Sequence, residues 1–103
     1  MLVVSAYAAL AEPHRRQILD LLRTGERPVA ELVAHLGLTQ PGVSKHLKVL
    51  REAGLVVART LGKQRMYALR PAAMVEVVQW LEPYRMLWSS RLDALETHLE
   101  ENS

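Results

Sequence analysis

The feature that most constrains the fold is a pair of helical segments separated by only two residues, Gly37 and Leu38. Pro28 begins the first segment, Val29–Leu36, and Gly37 can adopt the left-handed conformation that ends a helix. Thr39 is a suitable N-cap for the second segment, whose apolar residues recur at helical spacing: Val43, Leu47 and Leu50. Two helices joined by so tight a turn predict a helix-turn-helix over residues 29–53.

The hydrophobic pattern changes from helical to strand-like after Gly54. Residues 55–61 and Gln64–Leu69 are predicted as two strands, and Gly62 and Lys63 form the turn between them. The tip of this hairpin is polar and basic, with Arg59, Lys63, Gln64 and Arg65. We therefore expect a β-hairpin "wing" over residues 55–69 and a mainly α fold with a small β component (α+β).

Two shorter helices are predicted before this motif. The first covers residues 3–11, and the second opens at Pro13 and ends at Gly25. The second helix has a buried stripe formed by Ile18, Leu19, Leu22 and Leu21. Arg15 and Arg16 stand at its start, close in sequence to Glu12 and Asp20.

The last helical region opens at Pro71, and Pro83 must break it, kink it or restart it. Its first apolar face is predicted to consist of Met74, Val75, Val78 and Leu81. Apolar residues continue beyond Pro83 at three- and four-residue steps: Tyr84, Trp88, Leu92, Leu95 and Leu99. This face is larger than a three-helix core can cover, so it predicts a helix–helix dimer interface. The alternative is that the helix folds back on its own domain.

Length and composition exclude several classes of protein. A chain of 103 residues is the size of one small domain, here taken as residues 1–103, and half of its residues are hydrophobic. The absence of cysteine excludes disulfides, thiolate metal sites and a cysteine nucleophile. No apolar run is long enough to span a bilayer, and the first four residues lack the basic start of a signal peptide. We therefore expect a cytoplasmic location.

Charge is distributed unevenly along the chain. Residues 1–70 contain eleven Lys/Arg and five Asp/Glu, whereas residues 71–103 contain two and six. A basic region followed by an acidic tail is typical of a face that binds a polyanion such as nucleic acid, although a merely solvated basic face gives the same count. The charge alone does not decide between these two interpretations.

The second helix of the motif can be matched to DNA. The major groove of B-form DNA admits one α-helix, whose N-terminal side chains read base edges. Gln40 can pair with adenine, Ser44 can contact a base edge or a phosphate, and Lys45 can contact guanine or phosphate. Lys48 and Arg51, further along the same face, are predicted to contact phosphates.

The two arginines at the start of the second helix of the chain are considered with them. Of Arg15 and Arg16, we expect one to reach the DNA backbone and the other to lie in solvent or to pair with Glu12 or Asp20.

The wing extends the predicted interface. Its tip would reach the neighbouring minor groove or its phosphates through Lys63 and Arg65. The complete set of predicted DNA contacts is Thr39, Gln40, Ser44, Lys45, Lys48, Arg51, Lys63 and Arg65. For each of these residues the alternative is a side chain that merely faces solvent. The neighbouring His46 is predicted to be a packed histidine that donates to a nearby carbonyl, with a phosphate contact as the alternative.

These segments together resemble a known family. The stretches LAEPHRRQILDLL, VAELVAHLGLTQPGVSKHLKVLREAGLV and GKQRMYAL are similar to the ArsR/SmtB family of bacterial winged-helix repressors, and WLEPYRMLWSSRLDALETHLEE is similar to a metal-independent, cysteine-free branch of it. The resemblance implies that residues 39–51 are the recognition helix and residues 59–67 the wing. It also implies a homodimer that occupies a partly palindromic operator and often represses its own promoter.

The resemblance places the dimer interface on the first and last helices, residues 1–11 and 71–103. The residues assigned to it are Val4, Tyr7, Leu81, Tyr84, Trp88, Leu92 and Leu95. Double-stranded DNA and a second copy of the chain are thus the expected partners.

The metal sites of the family are not matched by this sequence. Cysteines are required on the segment that corresponds to Val29–Leu36, and the chain has none. His98 and Glu101 match half of the zinc site on the last helix, but Arg85 and Leu87 stand where Asp and His are needed. We therefore expect no metal and no other cofactor, with a metal-responsive repressor that uses a divergent His/Glu site as one alternative.

Nothing in the sequence predicts an enzyme. Ser44 and His46 are two residues apart on a helix and do not face each other, and no phosphate-binding glycine loop or convergent carboxylate pair is present. The expected function is a sequence-specific DNA-binding transcriptional repressor. The alternative from another class is a winged-helix module that binds proteins instead of DNA.

Overall fold

The computed structural model describes residues 5–101. It contains five helices, α1 (Ala6–Leu10), α2 (Pro13–Leu22), α3 (Val29–Leu36), α4 (Gln40–Glu52) and α5 (Ala72–Glu101), and three strands, β1 (Arg27–Pro28), β2 (Val56–Leu61) and β3 (Gln64–Leu69). The predicted class, mainly α with a small antiparallel β component, is confirmed. The described part of the first helix starts at Ala6, and Val4 of the predicted interface lies outside the described residues.

The sheet has one strand more than the predicted hairpin. Strands β2 and β3 pair from Val56↔Leu69 to Leu61↔Gln64, and β1 adds to the other edge of β3 through Arg27↔Tyr67 and Pro28↔Met66. Proline is tolerated there because an edge strand needs no amide donor on its outer side. A strand of two residues has no alternating pattern, so tertiary contacts and not the local sequence create it.

The core confirms the predicted stripes of the central helices. From α2, Ile18, Leu19 and Leu22 are buried while Leu21 is half-buried, and α3 contributes Leu32. The strands close the core with three further buried side chains, namely Leu55, Val56 and Tyr67. This packing fixes α3 and α4 relative to the sheet and so determines which face of α4 is exposed.

Arg15 and Arg16, at the start of α2, donate hydrogen bonds to main-chain carbonyls of α1, which was not predicted from the sequence. The Arg15 Nε donates to the Ala9 carbonyl at 2.7 Å, and the Arg16 Nη1 donates to the Leu10 carbonyl at 2.7 Å. A helix as short as α1 leaves most of its carbonyls without an amide donor, and the two guanidinium groups satisfy them. Neither arginine forms an ion pair within residues 5–101, so the expected pairing with Glu12 or Asp20 is not observed, and a contact of one of them with the DNA backbone stays a prediction.

Helix α5 differs most from the prediction. It runs without interruption from Ala72 to Glu101, so two of the three alternatives expected at Pro83, a break and a restart, are excluded, and the third, a kink, stays a prediction. Proline removes one main-chain hydrogen bond, and the turns on either side maintain the helix. The apolar face predicted for the start of α5 also differs from the residues that contact the core. Val77, which was not predicted, is buried, and Met74 is half-buried. The three other residues of the expected face are exposed, namely Val75, Val78 and Leu81.

We expect the substitution Gly37→Ala to lower the free energy of unfolding by about 1 kcal/mol, because an alanine in the left-handed region is strained. Gly37 has a φ of 67° and ends α3, and its amide donates to the Val33 carbonyl at 3.0 Å. An added Cβ would meet no atom within 4 Å, so the loss of stability comes from backbone strain and not from a steric clash. Urea denaturation measures it. Gly37→Asn is the matched control because asparagine tolerates this conformation, and equal stabilities of the two variants would contradict the prediction.

Candidate nucleic-acid interface

Helix α4 has one wholly buried face and one wholly exposed face. Val43, Leu47 and Leu50 have 0% of their surface exposed. The exposed side carries the predicted contacts on this helix: Gln40, Ser44, Lys45, Lys48 and Arg51. The thirteen residues of α4 extend about 20 Å, which suits a helix lying in the major groove. The predicted polar face of the helix is therefore exposed for its full length.

Thr39 fixes the start of α4. Its Oγ1 accepts a hydrogen bond from the Gly42 amide at 3.2 Å, as expected of an N-cap. Pro41 lies in the first turn, where the missing amide costs no hydrogen bond. The tight turn and this cap together place Gln40 and Ser44 at the exposed N-terminal end of the helix. Thr39 is itself exposed, so its hydroxyl hydrogen is available to a neighbouring acceptor.

Most cations of the predicted interface have no acidic partner within the described chain. Within residues 5–101, the side chains of Lys45, Lys48 and Arg51 form no ion pair, and neither does Lys63 at the wing tip. Outside this set, Arg27 pairs with Glu31 at 3.1 Å. Unpaired exposed cations can neutralise phosphates without first breaking an internal contact.

Arg59, predicted as part of the basic tip, is instead paired. Its Nε donates to Glu26 Oε2 at 2.9 Å, and its Nη2 contacts Glu26 Oε1. The hydrogen bond from Arg59 lowers the pKa of the Glu26 carboxyl and raises the pKa of the guanidinium. This pair could not be predicted from local sequence because the two residues are 33 positions apart.

The wing places two of the predicted contacts at its end. Gly62 has a φ of 62° at the first position of the two-residue turn, and Lys63 occupies the second. The Arg65 guanidinium lies 5.9 Å from the centre of the buried Tyr67 ring, a cation–π distance. Lys63 and Arg65 are both exposed, so the wing has a positively charged tip.

An open cavity joins the end of α4 to the wing. It has a volume of about 500 Å³, and its charged lining residues are Lys48, Arg51, Arg70 and Glu52. Arg70 was missed in the sequence because it follows the last strand. The Arg70 amide donates to the Leu55 carbonyl at 2.8 Å, which holds the end of β3 near the end of α4. Three cations around one cavity form a further anion-attracting surface beside the predicted contacts.

His46 lies on the flank of α4 and faces a carboxylate, which corrects the expected bond to a carbonyl. Its Nδ1 is 3.7 Å from Glu12 Oε2, and its ring centre is 5.7 Å from that of His14. Burial lowers the pKa of His46, although Glu12 opposes the shift. Partial burial alone would raise the pKa of Glu12, but the Arg15 amide and the two histidines lower it below its usual value.

Three residues of a type that can bind a metal ion lie close together around His46. Glu12, His14 and His46 each offer one ligand atom within 4.8 Å of the others, and they are the single such group of three among residues 5–101. His98 and Glu101, the half-site considered from the sequence, lie near the end of α5 and do not belong to a group of this kind. The described structure therefore brings together a set that the sequence did not indicate, because His46 is 32 positions or more from the other two.

The predicted dimer residues within the described chain are all exposed apolar side chains. They are Tyr7, Leu81, Tyr84, Trp88, Leu92 and Leu95. Trp80 connects two of them, because its ring lies 6.0 Å from that of Tyr7 and 5.3 Å from that of Tyr84. This tryptophan was not assigned to the interface from the sequence, yet it links α1 to α5.

The helices were also compared with the length and hydropathy that a membrane span requires. None of those within residues 5–101 has an apolar stretch that could span a lipid bilayer.

Comparisons with known proteins agree on one family. A sequence model described as "Bacterial regulatory protein, arsR family" matches residues 12–57. The transcriptional repressor SdpR of Bacillus subtilis is 27% identical over 75% of this chain, and the HTH-type transcriptional regulator CmtR of Mycobacterium tuberculosis is 48% identical over 69% of it. The chain spans 86% of the length of the first relative and 64% of the second.

A solved structure described as a possible transcriptional regulator for arsenical resistance superposes with a TM-score of 0.73. It is 35% identical, and the match covers 91% of this chain and 96% of that one. A match of this extent confirms the predicted winged helix-turn-helix fold.

Proposed function

The chain belongs to the arsR family of bacterial regulatory proteins, and we propose that it is a homodimeric transcriptional repressor that occupies an inverted-repeat operator. The observation that carries this proposal is the exposed face of α4. Unpaired cations and polar side chains lie on this face, and the opposite face of the helix is apolar and fully buried. The role is regulatory and not enzymatic, in agreement with the matched family and the named relatives.

We assign the two classes of contact by position on α4. Gln40 and Ser44, at the N-terminal end, discriminate between bases, and Lys45 contacts guanine or phosphate. Lys48 and Arg51, further along, contact phosphates and supply affinity that depends on salt. Thr39 adds a contact at the cap of the helix.

The wing contributes the remaining contacts. Lys63 and Arg65 at its exposed tip reach the adjacent minor groove or its phosphates. We assign residues 29–53 to the helix-turn-helix and residues 55–69 to the wing, and we assign dimerisation to the two terminal segments, residues 1–11 and 71–103.

The exposed apolar face of α5 supports the homodimer. Leu81, Tyr84, Trp88, Leu92 and Leu95 face one side of a helix that leaves the core beyond Val77. A two-fold axis through this face would place two copies of α4 on one duplex, with half-sites about 34–36 Å apart or a multiple of that distance. A repressor of this kind acts in the cytoplasm, where it would also occupy its own promoter.

We expect Gln40→Ala and Lys48→Ala to affect DNA binding in different ways. Loss of the glutamine should relax the preference at one operator position, at a cost of about 1–3 kcal/mol for the preferred base only. Loss of the lysine should weaken binding to every duplex alike and reduce the salt slope by about 1. Gel-shift titrations with the upstream region of the gene, at several salt concentrations, measure both effects.

The same titrations separate the repressor from a module that binds proteins. A steep salt dependence together with a preferred site supports the repressor. A flat salt response without a preferred site supports the protein-binding module. If both variants bind every duplex as the parent does, the assignment of α4 is wrong.

A further inference from the structure

Glu12, His14 and His46 meet where the start of α2 contacts the middle of α4. The His14 Nδ1 lies 3.1 Å from Glu12 Oε1, and the His46 Nδ1 lies 3.7 Å from Glu12 Oε2. The two imidazole rings are tilted toward each other at 37°, with their centres 5.7 Å apart. Each residue offers a ligand atom within 4.8 Å of the other two.

These distances are close to those of a metal site. A tetrahedral zinc ion has bonds of about 2.0–2.1 Å to nitrogen and oxygen, which places neighbouring ligand atoms about 3.3 Å apart. The two contacts with Glu12 lie on either side of that value, and they end on the two different oxygens of its carboxylate.

The chemistry of the donors selects the class of ion. Two imidazole nitrogens and one carboxylate oxygen suit zinc and neighbouring first-row metals. Calcium and magnesium prefer ligand sets made of oxygen and do not match this group. Three protein ligands also leave one position open to water, as in zinc sites that are not closed by a fourth residue.

Two features hold the ligands in place. The Arg15 amide donates to Glu12 Oε2 at 3.0 Å and orients the carboxylate at the N-terminus of α2. His46 is held by α4, and its side chain is only 19% exposed, whereas that of His14 is 44% exposed. The site is thus half-buried, with one rigid side and one side open to solvent through which an ion and its water could bind.

We propose that Glu12, His14 and His46 bind one zinc ion per chain, with water completing the coordination. This differs from the absence of a metal expected from the sequence, and it uses none of the residues of the half-site at His98 and Glu101. An ion here would link α2 to the helix that carries the proposed DNA contacts. The proposal does not depend on DNA binding, because protein and metal alone test it.

The four histidines of the chain provide the test and its matched controls. His14→Gln and His46→Gln remove proposed ligands, while His35→Gln and His98→Gln remove histidines elsewhere. Zinc chloride is titrated into each metal-free full-length protein by calorimetry. In a separate titration cobalt(II) takes the place of zinc, and its visible absorption spectrum reports the geometry of the ligands.

The parent, His35→Gln and His98→Gln should bind one equivalent of zinc with equal affinity. His14→Gln and His46→Gln should bind it about tenfold more weakly or worse, because losing a ligand costs at least as much as losing a residue that orients one. Far-UV circular dichroism checks folding. If His46→Gln unfolds, the zinc affinity of His14→Gln decides the result, because His14 is the more exposed of the two residues.

Two outcomes would overturn the proposal. One is the absence of stoichiometric zinc binding by the parent. The other is a loss of affinity in His98→Gln as large as that in His14→Gln, which would place the ion on α5.

Discussion

Replacing Trp88 with glutamate is expected to convert the proposed dimer to a monomer. Trp88 is 67% exposed in the single chain and lies on the apolar face of α5. Removing a central aromatic anchor from an interface typically costs about 2–4 kcal/mol, and a carboxylate left unpaired in the same place adds to that cost. The dimer should therefore dissociate about thirtyfold to a thousandfold more readily.

Sedimentation equilibrium measures the association, and Ser90→Glu is the matched control. Ser90 is two residues further along α5, on the opposite side of the helix, so it adds the same charge away from the proposed interface. The monomeric Trp88→Glu variant should keep its helical content, because this side chain contributes little to the core. It should also lose most of its operator affinity, because one α4 cannot bind two half-sites. A Trp88→Glu variant that associates as tightly as Ser90→Glu would exclude this face as the interface.

Truncating Leu47 to alanine is expected to cause the largest loss of stability. Leu47 is 0% exposed on the underside of α4, within the cluster that includes Ile18 and Leu32. Buried leucine-to-alanine changes cost about 2–5 kcal/mol, which combines the lost transfer free energy with the cavity that remains. For a domain of this size, such a loss is a large fraction of the total stability.

Denaturation by urea at one fixed protein concentration measures the change, since the stability of a dimer depends on concentration. Lys48→Ala is the matched control on the same helix, and its free energy of unfolding should change by no more than about 0.5 kcal/mol. The two substitutions thereby separate the buried side of α4 from its exposed side. Equal stabilities would mean that Leu47 is not a core residue.

The helix-turn-helix and the hairpin could be predicted because local signals there agree with the tertiary structure. Gly37 supplies the left-handed turn, Thr39 the cap and Gly62 the hairpin turn, and each has the conformation that its type favours. The apolar residues of α4 recur at helical spacing, and this spacing predicted both the buried face of the helix and the exposed face opposite it. The DNA contacts themselves remain predictions.

Other features depend on contacts between distant residues and left no local pattern. Strand β1 exists only because β3 pairs with it, and Arg59 is neutralised by a glutamate that is far away in sequence. Arg70 and His46 gain their surroundings from the folded chain in the same way.

Helix α5 was mispredicted for another reason. Apolar residues lie on several of its sides, so periodicity could not indicate that Val77, and not Val78, would be buried. The sequence also left three alternatives open at Pro83, because local sequence alone does not show whether a helix of 30 residues continues past one lost hydrogen bond.

Selection of bound duplexes from a random pool tests whether the exposed face of α4 reads DNA. We predict that the parent protein enriches an inverted repeat, and that Gln40→Ala enriches the same repeat with relaxed preference at one symmetric pair of positions. An enriched pool without two-fold symmetry, or one identical for the parent and Gln40→Ala, would contradict this mode of recognition.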